Sequence, residues 1–212
     1  FSSRRRHTRY ISVTGVQTCA LPIWVSGAVY LLNHLFGSAW ATGLDWQPEQ
    51  VLRQPWRWWT AAWVHWNGLH LAANVLGCAV LAYWAQATQT PTRWLGVWML
   101  AWPLTHLLLL LEPRLAHYAG LSGVLHAGVA VVTCRAFWLG AGAQKKLAGA
   151  VALGLVVKLV AERPWDWPVP VSPWWDFSVV TLAHATGALA GLICATGMLL
   201  WERRGTIQAC QS

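Results

Sequence analysis

Six apolar segments dominate this chain and constrain its fold more than any other feature. They lie at roughly residues 24–43, 58–84, 94–111, 121–139, 147–162 and 178–201. A helix needs about 20 mostly apolar residues to cross a hydrocarbon core of about 30 Å, and most of these segments approach that length. Hydrophobic residues make up 56% of the sequence and charged residues only 10%, so too little polar surface remains to cover a soluble domain. The sequence therefore predicts an all-α membrane protein with a bundle of six transmembrane helices.

The first 23 residues differ abruptly from the rest of the chain. This stretch is basic and serine-rich, and it lacks the apolar centre of a signal peptide. It resembles translated sequencing-adapter sequence, so we predict that 1–23 is not native, that 24–204 forms one six-helix domain, and that 205–212 is a short cytoplasmic tail. Without the four arginines of 1–23 the formal net charge falls from +8 to +4, so the basicity of the chain does not indicate a nucleic-acid partner.

The five cysteines show no CxxC and no paired spacing. This pattern argues against a disulfide framework or a zinc site, and no metal or other cofactor is expected. Cys78 and Cys134 lie inside apolar segments, where cysteine usually acts as a small core residue. A bridge between these two thiols is the alternative.

The distribution of lysine and arginine predicts the orientation in the membrane. Six of these residues lie on or near the second and fourth connections and the C-terminal tail, against four on the odd connections. The positive-inside rule therefore places the even connections and both termini in the cytoplasm. The second, fourth and sixth segments then run in parallel, each beginning at the outer face.

Those three segments carry polar residues near their predicted outer ends. The residues are His65, His70 and Asn74 in the second, Gly120, Ser122 and His126 in the fourth, and His184, Gly187 and Gly191 in the sixth. The Gly187–Gly191 pair forms a small-residue face that lets another helix approach closely, and His184 shares that face. Close packing of the sixth segment on the fourth would bring His184 to Ser122.

A serine next to a histidine is an arrangement suited to nucleophilic catalysis. Serine is a weak nucleophile until a base takes its proton, and neutral histidine suits that role near pH 7. A backbone N–H near Ser122 and the side chains of His70 and Asn74 would stabilise the developing oxyanion. No carboxylate is evident beside His184, so the sequence predicts a dyad. His126 is a rival base, although a residue four positions after Ser122 is better placed to pack beneath the partner histidine.

Each of these features also has an ordinary structural explanation. Small residues such as those around Ser122 are common at helix contacts, and Asn74 alone would be explained by a hydrogen bond between helices. A histidine in a membrane helix can simply bond a backbone carbonyl. A small transporter would need charges along a pathway, but Lys158 is the obvious intramembrane charge, and Glu162 at i+4 can pair with it. The concurrence of three such features at one depth favours catalysis.

The chain resembles the rhomboid intramembrane serine proteases over about residues 24–204. The motifs are GLSG at 120–123, His65-x4-His70-x3-Asn74, His184 with Gly187 and Gly191, and the Trp56-Arg57 pair. The resemblance implies Ser122 as nucleophile, His184 as base, and His70 and Asn74 as oxyanion donors, with Gly120, His65 and His126 in support. A loop glutamate common in bacterial members is Gln54 here, which implies an altered hydrogen-bond network in the first loop.

A narrower resemblance is to the rhombosortases. It rests on GLSGVLH at 120–126, WRWWTAAWVHWNGLHLAANVLG at 56–77 and KLVAE at 158–162. It implies cleavage of exported, single-pass or C-terminally anchored proteins near a Gly-Gly motif that precedes a hydrophobic helix and a basic end. The expected partners are these substrates and membrane lipid, in the bacterial inner membrane with the active site opening toward the periplasm.

Two alternatives to that function stay open at this point. One is a general rhomboid protease of other single-pass substrates. The other is an inactive rhomboid-like protein that binds membrane clients, which would normally lack the nucleophile or the base. We also expect the connection at 163–177, rich in proline and tryptophan, to gate substrate access between the second and fifth helices.

Overall fold

The computed structural model describes residues 14–37, 39–167 and 176–209. Over these residues the chain is helical apart from its loops and one isolated bridge between Trp46 and Tyr118. The helices are α1 Thr14–Phe36, α2 Ala39–Leu44, α3 Arg57–Thr60, α4 Gly68–Ala87, α5 Arg93–Leu107, α6 Ser122–Leu139, α7 Gly142–Ala161 and α8 Leu182–Ala209. Short 3₁₀ turns, Ala61–Trp63 and Leu108–Leu111, extend α3 and α5. The all-α bundle expected from the sequence is confirmed.

Four stretches of the described chain are long and apolar enough to cross a membrane. They are Gly68–Ala87, Arg93–Leu111, Ser122–Leu139 and Leu182–Arg204, and a shorter apolar helix covers Ala20–Phe36. The remaining long helix, α7, carries three lysines. These six helices correspond in order to the six predicted segments. Helix α7 also includes Lys145 and Lys146, which the prediction placed in the connection before it.

The predicted limits of four segments are wrong, because local capping and turn geometry decide where a helix begins and ends. The first helix begins at Thr14 instead of 24 and ends at Phe36 instead of 43, since Gly37 turns the chain with a φ of 91°. The second begins at Gly68 instead of 58, because the Asn67 side chain accepts a hydrogen bond from the His70 N–H at 2.7 Å and caps the helix. The fifth begins at Gly142 instead of 147, and the sixth runs from Leu182 to Ala209 instead of from 178 to 201.

Helix α6 is the central element, with α4, α5, α7 and α8 packed around it. The closest approach is between α6 and α8. A Cβ atom added at Gly187 would overlap the carbonyl oxygen of Gly123, and one at Gly191 would overlap that of Ala127. The small-residue face of α8 therefore lets the two backbones touch, which brings the first turns of α6 and α8 together.

Buried tryptophans fasten the surrounding helices to this centre. The Trp98 indole N–H donates to the Val124 carbonyl at 2.8 Å, and the Trp84 indole N–H donates to the Thr133 hydroxyl at 3.0 Å. Each ring thus buries its apolar body while its one polar group finds an acceptor.

The loop between α2 and α3 is held by a buried ion pair. Arg57 is 3% exposed, and its guanidinium contacts the Asp45 carboxylate at 3.0 Å and the Gln54 amide oxygen at 2.6 Å. The network that Gln54 was expected to alter forms with its negative charge in a different place: the Gln54 amide oxygen accepts from Arg57, and Asp45 supplies the charge.

Cys134 is a free thiol on α6, so the Cys78–Cys134 bridge left open by the sequence is not formed. The expected gating segment at 163–177 lies largely outside the described residues.

Candidate active site

The first turns of α4, α6 and α8 meet at one cavity of about 620 Å³. Its walls are mainly apolar side chains of α4, α6 and α7. The polar and charged residues of the described chain that line it are His70, Asn74, Ser122, His126, Lys158, Glu162 and His184. The cavity therefore gathers three histidines, a serine and an asparagine of these three helices, with a lysine and a glutamate of α7, in an otherwise apolar space.

Ser122 is the first residue of α6, and the turn before it requires glycine. Gly120 has a φ of 127°, and a Cβ atom there would lie 2.7 Å from the His70 ring nitrogen Nε2. The Tyr118 hydroxyl donates to the Gly120 carbonyl at 2.9 Å, and burial raises the pKa of Tyr118 to about 12, so this donor keeps its proton. The serine thus projects from a fixed turn at the positive end of a helix.

His184, in the first turn of α8, lies between two oxygen atoms. Its Nε2 is 3.0 Å from the Ser122 hydroxyl oxygen, and its Nδ1 is 2.8 Å from the Glu162 carboxylate oxygen Oε2. A carboxylate can only accept a hydrogen bond, so Nδ1 carries the proton and donates it. The lone pair of Nε2 then faces the serine, which is the state that a general base needs.

Glu162, at the end of α7, is the site residue that sequence reasoning missed. The predicted pair with Lys158 is confirmed, since the Lys158 ammonium donates to the other carboxylate oxygen, Oε1. The expectation that no carboxylate stands beside His184 is wrong. A signal was present in the topology: a helix ending at the outer face places its last residues level with the first turn of the next helix.

His126 supports the imidazole of His184 from below. The two rings are stacked, with centroids 4.2 Å apart and planes 15° apart. The Nδ1 of His126 donates to the backbone carbonyl of Ser122 at 2.7 Å and not to its hydroxyl. The geometry therefore places His126 under the candidate base and not in its position.

Two polar residues of α4, His70 and Asn74, also line the cavity, and His65, just before α4, holds the Asn74 amide. His65 Nδ1 donates to the Trp63 carbonyl at 3.2 Å, so its Nε2 accepts from the Asn74 amide at 2.9 Å. Burial lowers the pKa of His65 to about 4, which keeps this ring neutral and able to accept at pH 7. The Asn74 amide has a second N–H, and Asn74 and His70 line the same cavity as Ser122.

One group of the described residues has a spacing compatible with a metal ion. His126, Glu162 and His184 offer ligand atoms within 4.8 Å of one another. Hydrogen bonds already join Glu162 to His184 and His184 to Ser122. This continuous chain of donors and acceptors favours proton transfer as the use of these atoms.

Comparison of the sequence with models of known protein families gives one match. The model of the Rhomboid domain family matches residues 52–201, a range that contains every candidate site residue from His65 to Gly191. No curated protein matches the chain significantly.

Proposed function

Because the chain belongs to the rhomboid family of intramembrane serine proteases, we propose that it cleaves membrane-anchored proteins with Ser122 as nucleophile and His184 as general base. The observation that carries the proposal is the 3.0 Å contact between His184 Nε2 and the Ser122 hydroxyl oxygen. Such a contact between nucleophile and base is within proton-transfer reach.

The reaction follows from this contact. The Ser122 oxygen attacks the scissile carbonyl carbon as its proton moves to His184 Nε2, and the C=O electron pair moves onto oxygen. When the carbonyl reforms, the C–N bond breaks and the leaving amine takes the proton from Nε2. Water then attacks the acyl-enzyme by the same route and releases the carboxylic acid and the free serine.

The oxyanion formed in the first step needs donors that are already in place. We assign this role to the Ser122 backbone N–H at the start of α6, the second N–H of the Asn74 amide and the His70 imidazole. The rigidity of the surrounding turn supports the assignment, since Gly120 donates its N–H to the Ala61 carbonyl at 2.9 Å and packs directly on His70.

For the substrate we propose a rhombosortase-like class, single-pass or C-terminally anchored proteins with a Gly-Gly pair at the outer end of the anchor. The apolar walls of the cavity between α4 and α7 suit a hydrophobic segment. A peptide bond inside a helix is shielded, and each glycine costs about 1 kcal/mol relative to alanine in a helix, so a Gly-Gly pair favours the extended form that Ser122 can attack. A general rhomboid protease of other single-pass substrates is the alternative.

We place the protein in the bacterial inner membrane with the cavity open to the periplasmic side. The charge distribution supports this orientation. Lys145 and Lys146 lie near the start of α7, and Arg203 lies near the end of α8, whereas the cavity is lined by the opposite ends of these helices. Arg93, which begins α5, is at the same basic end, because it pairs with Glu202 of α8 at 2.8 Å. The positive-inside rule assigns that basic end to the cytoplasm.

The experiment uses purified full-length protein and a single-pass substrate with Gly-Gly at the outer membrane boundary, with cleavage sites mapped by mass spectrometry. We expect a cut near the Gly-Gly pair by the wild type and none by Ser122→Ala, which loses one hydroxyl and little packing. Cleavage by Ser122→Ala at the wild-type rate would overturn the protease assignment.

A matched substrate in which Leu-Leu replaces Gly-Gly tests the substrate class separately. We expect strongly slowed cleavage, because leucine favours the helix and is bulky beside the oxyanion donors. Equal rates for the two substrates would refute the rhombosortase-like class and leave a general rhomboid protease.

A further inference from the structure

We infer that Glu162 is a positioning residue for the reaction, which selects the reactive form of His184, and that Lys158 fixes the orientation of Glu162. The inference rests on the proposed function and extends its serine–histidine pair to four linked side chains. In order they are Ser122, His184, Glu162 and Lys158, each joined to the next by a hydrogen bond.

The two oxygens of Glu162 have different partners. Oε2 lies 2.8 Å from His184 Nδ1, and Oε1 accepts from the Lys158 ammonium one helical turn earlier in the chain. The His184 side chain is 8% exposed, whereas Glu162 is 25% and Lys158 46% exposed. The carboxylate therefore bridges a buried imidazole and a cation at the solvent edge.

This bridge determines which ring nitrogen of His184 can act as the base. An ionised carboxylate accepts hydrogen bonds only, so it holds the proton on Nδ1 and leaves the Nε2 lone pair toward Ser122. When Nε2 takes the serine proton, the imidazolium carries one positive charge beside the negative charge of Glu162, which stabilises it without accepting its proton. The proton leaves from Nε2 to the departing amine, so Glu162 is unchanged over the cycle.

Lys158 makes a specific prediction about the amide variant. In Glu162→Gln the Lys158 ammonium, which can only donate hydrogen bonds, stays bonded to the side-chain oxygen of the new amide. The NH₂ group of that amide is then turned toward His184 Nδ1. Since NH₂ also only donates, it favours the imidazole form with the proton on Nε2, which cannot accept from Ser122. Removing the ammonium as well frees the amide to turn its oxygen toward Nδ1. The double variant Lys158→Met/Glu162→Gln should therefore be faster than Glu162→Gln alone.

The test measures two rates on purified full-length variants in detergent: kcat on the Gly-Gly substrate, and labelling of Ser122 by an alkyl fluorophosphonate. In the labelling reaction the serine oxygen bonds phosphorus, fluoride leaves, and the proton passes to His184, so the rate reports the nucleophile without the substrate. We expect Glu162→Gln to lower both rates about 100-fold, less than the roughly 10⁴-fold loss at a fully buried triad carboxylate, because Glu162 is partly solvated. KM and thermal stability should stay at the wild-type values.

Glu112→Gln is the matched control, since Glu112 also holds a cation, Arg114, with nitrogen–oxygen distances of 2.7 Å, but lies outside the cavity. We expect it to leave both rates unchanged, and we expect Lys158→Met/Glu162→Gln to recover about tenfold of the loss, consistent with restoration of the correct imidazole form. Wild-type labelling of Glu162→Gln, a rate loss that merely tracks lost folded protein, or a double variant no faster than the single one would overturn the inference. These outcomes differ from failure of the proposed function, which appears as cleavage by Ser122→Ala.

Discussion

Two carboxylates in this protein are held in nearly the same way, yet only one of them adjoins a nucleophile. Asp45 divides its oxygens between Arg57, at 3.0 Å, and His117 Nδ1, at 2.6 Å. Glu162 divides its oxygens between a lysine of α7 and His184 Nδ1, at 2.8 Å. The hydrogen-bond pattern around the carboxylate is therefore not what makes a site reactive.

Burial distinguishes the two assemblies. In the loop before α3, the Asp45 carboxylate is fully buried and the His117 side chain is 53% exposed. The buried charge therefore holds the loop in place, and the imidazole faces outward. At the cavity the imidazole of His184 is buried, the carboxylate reaches the edge, and the second ring nitrogen meets Ser122. The same set of a cation, a carboxylate and an imidazole can therefore stabilise a loop or prepare a base, according to which member is withdrawn from solvent.

The largest effect should come from removing the two histidines in turn. We expect His184→Ala to lower kcat by about 10³-fold, within the usual range for loss of a general base, while thermal stability changes little. His117→Ala, which removes the equivalent ring at the loop site, should keep wild-type turnover. Comparable losses of kcat in the two variants, measured on the same Gly-Gly substrate, would erase the distinction between the assemblies.

The next effect concerns stability, which should depend more on the Asp45 site than on the Glu162 site. Asp45→Ala leaves the buried Arg57 guanidinium without its carboxylate, and breaking a buried ion pair from one side costs about 3–5 kcal/mol. We expect a clear fall in the thermal unfolding temperature in detergent, with kcat per folded molecule retained. Glu162→Gln should show the opposite pattern, and a stable Asp45→Ala protein would show that the loop triplet does not hold the fold.

The arrangement of the bundle was predictable from the sequence because it depends on patterns within single segments. Apolar length located the helices, and the spacing of small residues in α8 predicted its close approach to α6, which the overlap at Gly187 and Gly191 bears out. Helix limits were less predictable. They depend on the cap at Asn67 and the turn at Gly37, where a few local contacts outweigh hydropathy.

The candidate site divides in the same way. Ser122 and His184 belong to short motifs in helices that pack together, so their 3.0 Å contact follows from two local patterns and one packing rule. Glu162 belongs to no motif shared with His184 and meets it across 22 positions of sequence. The pair with Lys158 is enough to explain a carboxylate at this position, so the sequence gives no reason to expect His184 as a second partner.

A smaller effect is expected from a change that shifts His184 relative to Ser122 but leaves every polar side chain in place. Gly187→Ala adds a methyl group that overlaps the Gly123 carbonyl oxygen, so α8 must shift away from α6 and the His184–Ser122 contact must lengthen. A misplacement of about 1 Å can cost about 100-fold in rate, and we expect a fall in kcat of that order. Gly197→Ala is the control on the same helix, because a Cβ there meets open space. Equal kcat values for the two variants would mean that the close helix contact does not set the catalytic distance.

The smallest effect should come from the ring beneath His184, a support that the loop histidine lacks among the described contacts. His126→Ala removes a stacked neighbour at 4.2 Å, and aromatic contacts contribute about 0.5–1.5 kcal/mol, so we expect kcat to fall about tenfold at most. His126→Phe keeps a flat ring but loses the bond to the Ser122 carbonyl, and it should retain more activity than the alanine variant if stacking is the main contribution. Steady-state rates of the two variants beside His184→Ala separate these roles. If His126→Ala is as slow as His184→Ala, His126 becomes a candidate for the general base again. The comparison of the two carboxylate sites would then fail, because the buried imidazole beside Glu162 would not be the base.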